Sequence, residues 1–305
     1  MLITAAQSLI TYGQAIVLGV LQGVTELFPI SSLGHSVILP ALLGWHSVVN
    51  AESAQESFYL AFLVGLHVAT ALALLWYFRA DWARIIAGFF RTLRTRRIET
   101  SDERLAWLLV VATIPAGIMG LLLEHSLRTL LATPVAASAL LTVNGLILAA
   151  GERARRRQQV HALAVAHGTT EEGTRRLDTL DFKESGIIGV SQVFALMAGI
   201  SRSGITMVAG LVRGLDHEDA ARFSFLLATP IILAAGVYKL PDLTGVNGHD
   251  VRGQILVGSL CAAATAYLSV RFLMRFFETR TLTPFAIYCL VVGISTTIYF
   301  AITWP

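Results

Sequence analysis

Two short stretches hold most of the residues in this chain that could do chemistry. Residues 19–36 read G-V-L-Q-G-V-T-E-L-F-P-I-S-S-L-G-H-S, and Glu26 is the sole acid among the first 51 positions. Residues 189–206 read G-V-S-Q-V-F-A-L-M-A-G-I-S-R-S-G-I-T, with Arg202 between Ser201 and Ser203. An arginine at a membrane centre costs roughly 2.5–3.5 kcal/mol on insertion scales, so Arg202 needs a partner or a ligand. Two readings stay open. Helix-end carbonyls could satisfy the guanidinium, or it could clamp an anion, since its planar fork matches phosphate oxygens. The Gly- and Ser-rich turn from Gly199 to Gly204 opens a helix, whose N–H groups and positive end would face the same anion. Ser201, Ser203 and Thr206 add hydroxyl donors.

The first stretch supplies complementary chemistry. His35 lies three residues past Ser32, about one helical turn, so the imidazole is expected to face the hydroxyl. Such a pair can activate a nucleophile, or the histidine can protonate a leaving oxygen. Ser31 sits beside it at the turn. Gln22 and Glu26 share a helix face, and a carboxylate beside an amide oxygen suits Mg²⁺ or Ca²⁺. Glu26 could equally form a salt bridge to Arg202. His67 reads as a packed histidine, and Asn144 as a bond between helices.

The two stretches are related. At an offset of 170 they agree at Gly19/Gly189, Val20/Val190, Gln22/Gln192, Ile30/Ile200, Ser31/Ser201 and Gly34/Gly204. This points to an internal repeat with one half-site on each copy. The surrounding chain is 55% hydrophobic and 14% charged over 305 residues, against about 25% charged in soluble domains. That composition describes an all-α polytopic membrane protein. Its two cysteines lie inside apolar runs, and no Lys or Arg in residues 1–13 marks the start of a signal peptide.

A spanning helix needs about 20 apolar residues. Six runs qualify: 58–78, 105–123, 134–151, 221–240, 254–276 and 283–303. Residues 9–44 and 186–212 instead hold shorter apolar pieces broken at the two turns, as expected of re-entrant helix pairs. The expected layout is a first repeat over 1–151, a cytoplasmic linker over 152–185 and a second repeat over 186–305. Each repeat would be a re-entrant pair plus three transmembrane helices. Three is odd, so the repeats are expected in inverted topology. The linker should be loop from Gly168 to Gly173.

Charge placement orients this layout. Seven Lys or Arg fall in 79–104, seven in 152–185, two in 213–222 and three in 271–280. Arg128, Lys239 and Arg252 fall on the other side. By the positive-inside rule the crowded face is cytoplasmic. The Arg153–Arg157 cluster flanks a span, where anionic lipid headgroups are its natural partners; nucleic acid is not expected.

With both stretches in view, the chain resembles the undecaprenyl-diphosphatase family of the bacitracin-resistance type. The likeness rests on Q-G-V-T-E-L-F-P-I-S-S-L-G-H, residues 22–35, and A-G-I-S-R-S-G-I-T, residues 198–206. It continues through F-S-F-L-L-A-T-P, residues 223–230, and T-P-F-A-I-Y, residues 283–288. Departures are Ala198 for a proline, Leu33 for a hydroxyl residue, and Gln22 for the commoner glutamate, which leaves a metal site one carboxylate.

The resemblance implies hydrolysis of undecaprenyl diphosphate to undecaprenyl phosphate and phosphate. The reaction would occur at the outer face of the bacterial inner membrane with a divalent cation, Mg²⁺ or Ca²⁺. It would recycle the carrier lipid for peptidoglycan synthesis and confer bacitracin resistance. Carried over, the catalytic set is Ser32, His35, Glu26 and Arg202. The phosphate-binding set is Ser201, Arg202, Ser203, Thr206 and Ser31, and the metal set is Glu26 and Gln22. Attack by Ser32 and direct attack by water both remain open, as does assembly as a homodimer. The competing class is a transporter or flippase of polyprenyl phosphate, because inverted repeats with broken helices are also transporter architecture. An intramembrane serine protease fits less well, since a cation between serines does not help attack on an amide.

Overall fold

A computed structural model describes residues 10–45, 48, 58–131, 133–165, 175–239 and 251–304. Among these residues there are eleven α-helices and no strand. They are α1 (Tyr12–Thr25), α2 (Ser32–Leu42), α3 (Phe58–Tyr77), α4 (Arg79–Thr95), α5 (Ser101–Leu131) and α6 (Pro134–Val165). The second half adds α7 (Phe182–Ser191), α8 (Arg202–Val212), α9 (His217–Tyr238), α10 (Arg252–Phe277) and α11 (Thr283–Thr303). A 3₁₀ turn, Gln192–Leu196, follows α7. Helices α3, α5, α6, α9, α10 and α11 are long and apolar enough to cross a membrane, one for each of the six apolar runs. The chain is thus an all-helical, multi-pass membrane protein.

The helices between these spans are short for a physical reason. Helix α1 has 14 residues, about 21 Å, and stops where Phe28-Pro29 denies it further hydrogen bonds. Helices α2 and α8 have 11 residues each. The lead-in helices start alike. Thr11 and Gln14 form a capping box at α1, and Asp181 and Glu184 form one at α7.

Each lead-in helix packs on the middle span of the other half. Helix α1 runs in the same direction as α10. Gln254 donates to Ile10 O, Gly19 and Gly23 lie against Gly258 and Ala262, and Phe28 stacks on Phe272. Helix α7 likewise runs with α5. Arg104 donates to Leu180 O, Ser185 to Leu108 O and Gln192 to Ala112 O. The third spans of the halves, α6 and α11, pack antiparallel, with Thr142 beside Gly293 and Asn144 beside Cys289. Buried apolar side chains, including Leu27, Ile30, Leu141 and Leu148, fill the space around both turns.

One linker holds more structure than expected, and the other continues the preceding helix, as expected. Residues 79–104 are mostly α4, an amphipathic helix with Ile85 buried and Ile86, Phe90 and Leu93 exposed. The 152–185 linker starts as helix, because α6 continues to Val165 on good helix formers. The expected loop from Gly168 to Gly173 lies outside the described residues.

Candidate active site

Glu26 caps the end of α1 and Ser32 is the first residue of α2. Arg202 is the first residue of α8. The fold brings these three together. The Glu26 carboxylate accepts from Arg202 Nη2 at 2.6 Å on Oε1, and from Ser32 Oγ at 2.5 Å and Gln22 Nε2 at 3.0 Å on Oε2. His67 Nε2 lies 3.5 Å from the same Oε2. Glu26, Ser32 and Gln22 are all buried. Arg202 keeps Nη1 buried with no hydrogen-bond partner. The salt bridge left open by the sequence therefore exists, and it occupies half of the guanidinium.

Backbone and small polar groups fix this arrangement. Ser31 has φ 71°, a left-handed value uncommon outside glycine. There its hydroxyl accepts from Gly34 N–H of its own helix at 3.2 Å and from Gly199 N–H of the other turn at 3.1 Å. Gly34 and Gly199 touch: a Cβ on Gly34 would sit 2.9 Å from Gly199 Cα. Gly199 has φ +113°, a conformation that side chains oppose. Asn144 of α6 bonds both turns at once. Its Nδ2 donates to Pro29 O and its Oδ1 accepts from Ser201 N–H, each at 3.0 Å. The N-termini of α2 and α8 thus lie side by side, and their unpaired N–H groups make the neighbourhood of Ser32 and Arg202 electropositive.

The remaining expected residues divide. Ser201 caps α8 through Gly204 N–H and touches Ser203 Oγ at 3.0 Å. The Thr206 hydroxyl is shared among Arg202 O, Ser203 O and Ser224 Oγ. Ser31, Ser201 and Thr206 therefore support the site in this structure. His35 is a correction. Its imidazole does not bond Ser32, since Nδ1 is held by Ser31 O at 2.7 Å and Nε2 by Tyr288 OH at 2.9 Å. The carbonyl one turn back captured the ring, and Ser32 was left to Glu26.

The Glu26 and Gln22 side chains expected to hold a cation bond to each other here. Among the described residues no three His, Cys, Asp or Glu side chains converge as metal ligands. Glu26 is the lone carboxylate, both its oxygens are occupied, and Gln22 turns its NH₂ toward it. A cation between Gln22 and Glu26 would have to displace these donors.

A family model described as Bacitracin resistance protein BacA matches residues 15–295, a range that includes both turns. The chain belongs to the BacA family. It is 56% identical to Undecaprenyl-diphosphatase 2 of Frankia alni, over 96% of this chain and 99% of that protein. It is 57% identical to Undecaprenyl-diphosphatase of Mycolicibacterium paratuberculosis, over 96% and 98%. Undecaprenyl-diphosphatase 2 of Burkholderia ambifaria is 47% identical, over 91% and 92%.

Within this BacA-family site, sequence reasoning missed two contacts and underrated a third residue. Tyr288 reaches His35 from α11, although it ends the T-P-F-A-I-Y run. His67 faces Glu26 as well as bonding Leu63 O; a lone polar residue in an apolar span was its signal. Asn144 carried the same signal, and it bonds both turns.

Proposed function

We propose that this chain hydrolyses undecaprenyl diphosphate to undecaprenyl phosphate and inorganic phosphate, the activity carried in the names of its BacA-family relatives. The observation that carries this reading is the buried, unpartnered Nη1 of Arg202 beside the Ser32–Glu26 pair. A buried donor without an acceptor is costly, and a phosphate oxygen would satisfy it. Two helix N-termini favour the same dianionic group.

The residues then have distinct roles. Arg202 binds the terminal phosphate through Nη1 while Nη2 stays on Glu26. Ser32 attacks phosphorus as its proton passes to Glu26 Oε2. Undecaprenyl phosphate leaves with the bridging oxygen. Water then cleaves the phosphoserine, releasing phosphate and restoring Ser32. Charge stabilisation by Arg202 and the helix ends supplies most of the catalysis, as in phosphoryl transfer generally. Because both Glu26 oxygens already accept hydrogen bonds, a divalent cation bound at Glu26 and Gln22 would replace part of this bonding.

We also propose that the halves are inverted and that the short pairs are re-entrant. Helix α6 is antiparallel to α11, and taking the consecutive spans α5 and α6, and α10 and α11, to cross the membrane in opposite directions makes α5 and α10 run oppositely. Helix α1 follows α10 and α7 follows α5, so the two lead-in helices enter in opposite directions. With the Lys- and Arg-rich loops in the cytoplasm, α1 descends from the outer face of the inner membrane, where the diphosphate would be met.

The test is phosphate release by the purified protein in detergent from undecaprenyl diphosphate. Detergent leaves no second compartment. Stoichiometric release of phosphate is expected; a pure transporter would release none, and that result would overturn the assignment.

A further inference from the structure

The imidazole of His35 is gripped at both nitrogens. A carbonyl oxygen can only accept, so Nδ1, 2.7 Å from Ser31 O, must carry the proton. In the neutral ring Nε2 is then the acceptor, and the hydroxyl 2.9 Å away on Tyr288 must donate to it. The two rings lie nearly parallel, 17° apart, with centroids 5.8 Å apart. His35 is 6% exposed and Tyr288 39%, so the phenol stands between the buried ring and the outer surface of α11. Tyr288 comes from the far end of the chain and contacts the motif of the first turn across 253 residues.

We propose that Tyr288 is a positioning residue for the reaction, acting through His35. Its hydroxyl fixes the tautomer with the proton on Nδ1 and holds the Nε2 lone pair at a set place beside the Ser31–Ser32 turn. This inference rests on the phosphatase reading, because it assigns Tyr288 a part in that turnover. It does not depend on which proton His35 handles. It states that any proton His35 takes is taken at Nε2, by way of the Tyr288 hydroxyl that occupies and aims this atom.

Tyr288→Phe keeps the ring and removes the hydroxyl. Partners that orient metal-ligating histidines contribute about 10- to 100-fold, and on that scale Y288F should lower kcat by roughly 10- to 100-fold while KM stays unchanged. In an H35A background, Y288F should cause no further loss, since the residue it acts through is gone. A ring-nitrogen NMR signal from ¹⁵N-labelled His35 gives a readout independent of turnover. The Nε2 signal should move in Y288F while the Nδ1 signal stays that of a protonated nitrogen. The wild-type protein is the control for the phosphatase reading: no phosphate release by it would defeat that reading, while the nitrogen signals would still report on the contact. A Y288F variant with wild-type kcat, an equal loss in the H35A background, a change confined to KM, or failure to accumulate would each overturn the role of Tyr288.

Discussion

The two turns use one scaffold for opposite chemistry. In each, a buried isoleucine, Ile30 or Ile200, precedes a serine that caps a helix of 11 residues through the glycine three positions on. The lead-in helices place Gly19 and Gly189 against the backbone of a span. Four of the six identical pairs, Gly19/Gly189, Ile30/Ile200, Ser31/Ser201 and Gly34/Gly204, thus build the turns and seat their lead-in helices. The positions that differ hold the residues of the proposed reaction: Glu26 aligns with Leu196 across the repeat, Ser32 with Arg202, and His35 with Ile205. One copy holds the acid, the hydroxyl and the imidazole, and the other holds the cation. Repeated residues therefore mark the frame here, and the chemistry lies where the repeat fails.

The largest expected effect is at Arg202. Arg202→Lys keeps a charge but cannot hold Glu26 and a phosphate oxygen in one planar fork. Turnover should fall by about ten-thousand-fold, within the range an arginine contributes to phosphoryl transfer. Phosphate release and thermal unfolding, measured together, separate this from damage to the fold. A lysine variant with half of normal turnover would remove the fork from the mechanism.

Next come the adjacent serines of the first turn, which the comparison assigns to different duties. Ser32→Ala should lose on the order of a thousand-fold in turnover with little change in melting. That loss should not multiply with that of Glu26→Gln, because the two act as a unit. Ser31→Ala and Ser201→Ala should cost about 1 kcal/mol of stability each as lost caps, with turnover far less affected than in S32A. If S201A and S32A were equally inactive, the division between frame and chemistry would not hold.

The smallest effect concerns the lead-in helices. Gln14 and Glu184 occupy the same place in the two capping boxes, but Glu184 is also held by Arg175 through two bonds of 2.6 and 3.0 Å. The hydrogen bond from Arg175 holds the Glu184 carboxyl below the ordinary carboxylate range. A lowered folded-state pKa gives stability that is present above the unfolded value, about 4.3, and is lost as pH falls through the folded value. Glu184→Gln makes the second lead-in resemble the first. It should cost less than about 1 kcal/mol at pH 7, and the gap from wild type should close as unfolding is followed down through pH 4. A gap constant over that range would mean the charge of Glu184 does not stabilise the fold.

Much of this was legible in the sequence because membranes restrict the choices. A run of 20 apolar residues can only be a helix there, so the spans and their number could be read directly. Lone polar residues in such runs stood out, and Glu26, Ser32 and Arg202 were found that way. The pairing inside the site was not legible. Spacing places His35 one turn from Ser32, but the Ser31 carbonyl lies equally within reach, and one-dimensional spacing does not rank the two. Tyr288 was hidden for another reason: its partner is distant in the chain, and an aromatic residue in a span looks like packing. Helix α4 was missed because its arginines were read for topology before its period was considered.

Asn144 has a mechanical consequence. It lies in no motif, yet its single amide grips Pro29 of one turn and Ser201 of the other. Together with the Ser31–Gly199 bond and the Arg202–Glu26 pair, this side chain on a long helix ties the two turns to each other. A carrier that rocked its halves past each other would have to tear this amide from one turn in every cycle. Like a pin through two jaws, the amide resists any movement that would part the two turns.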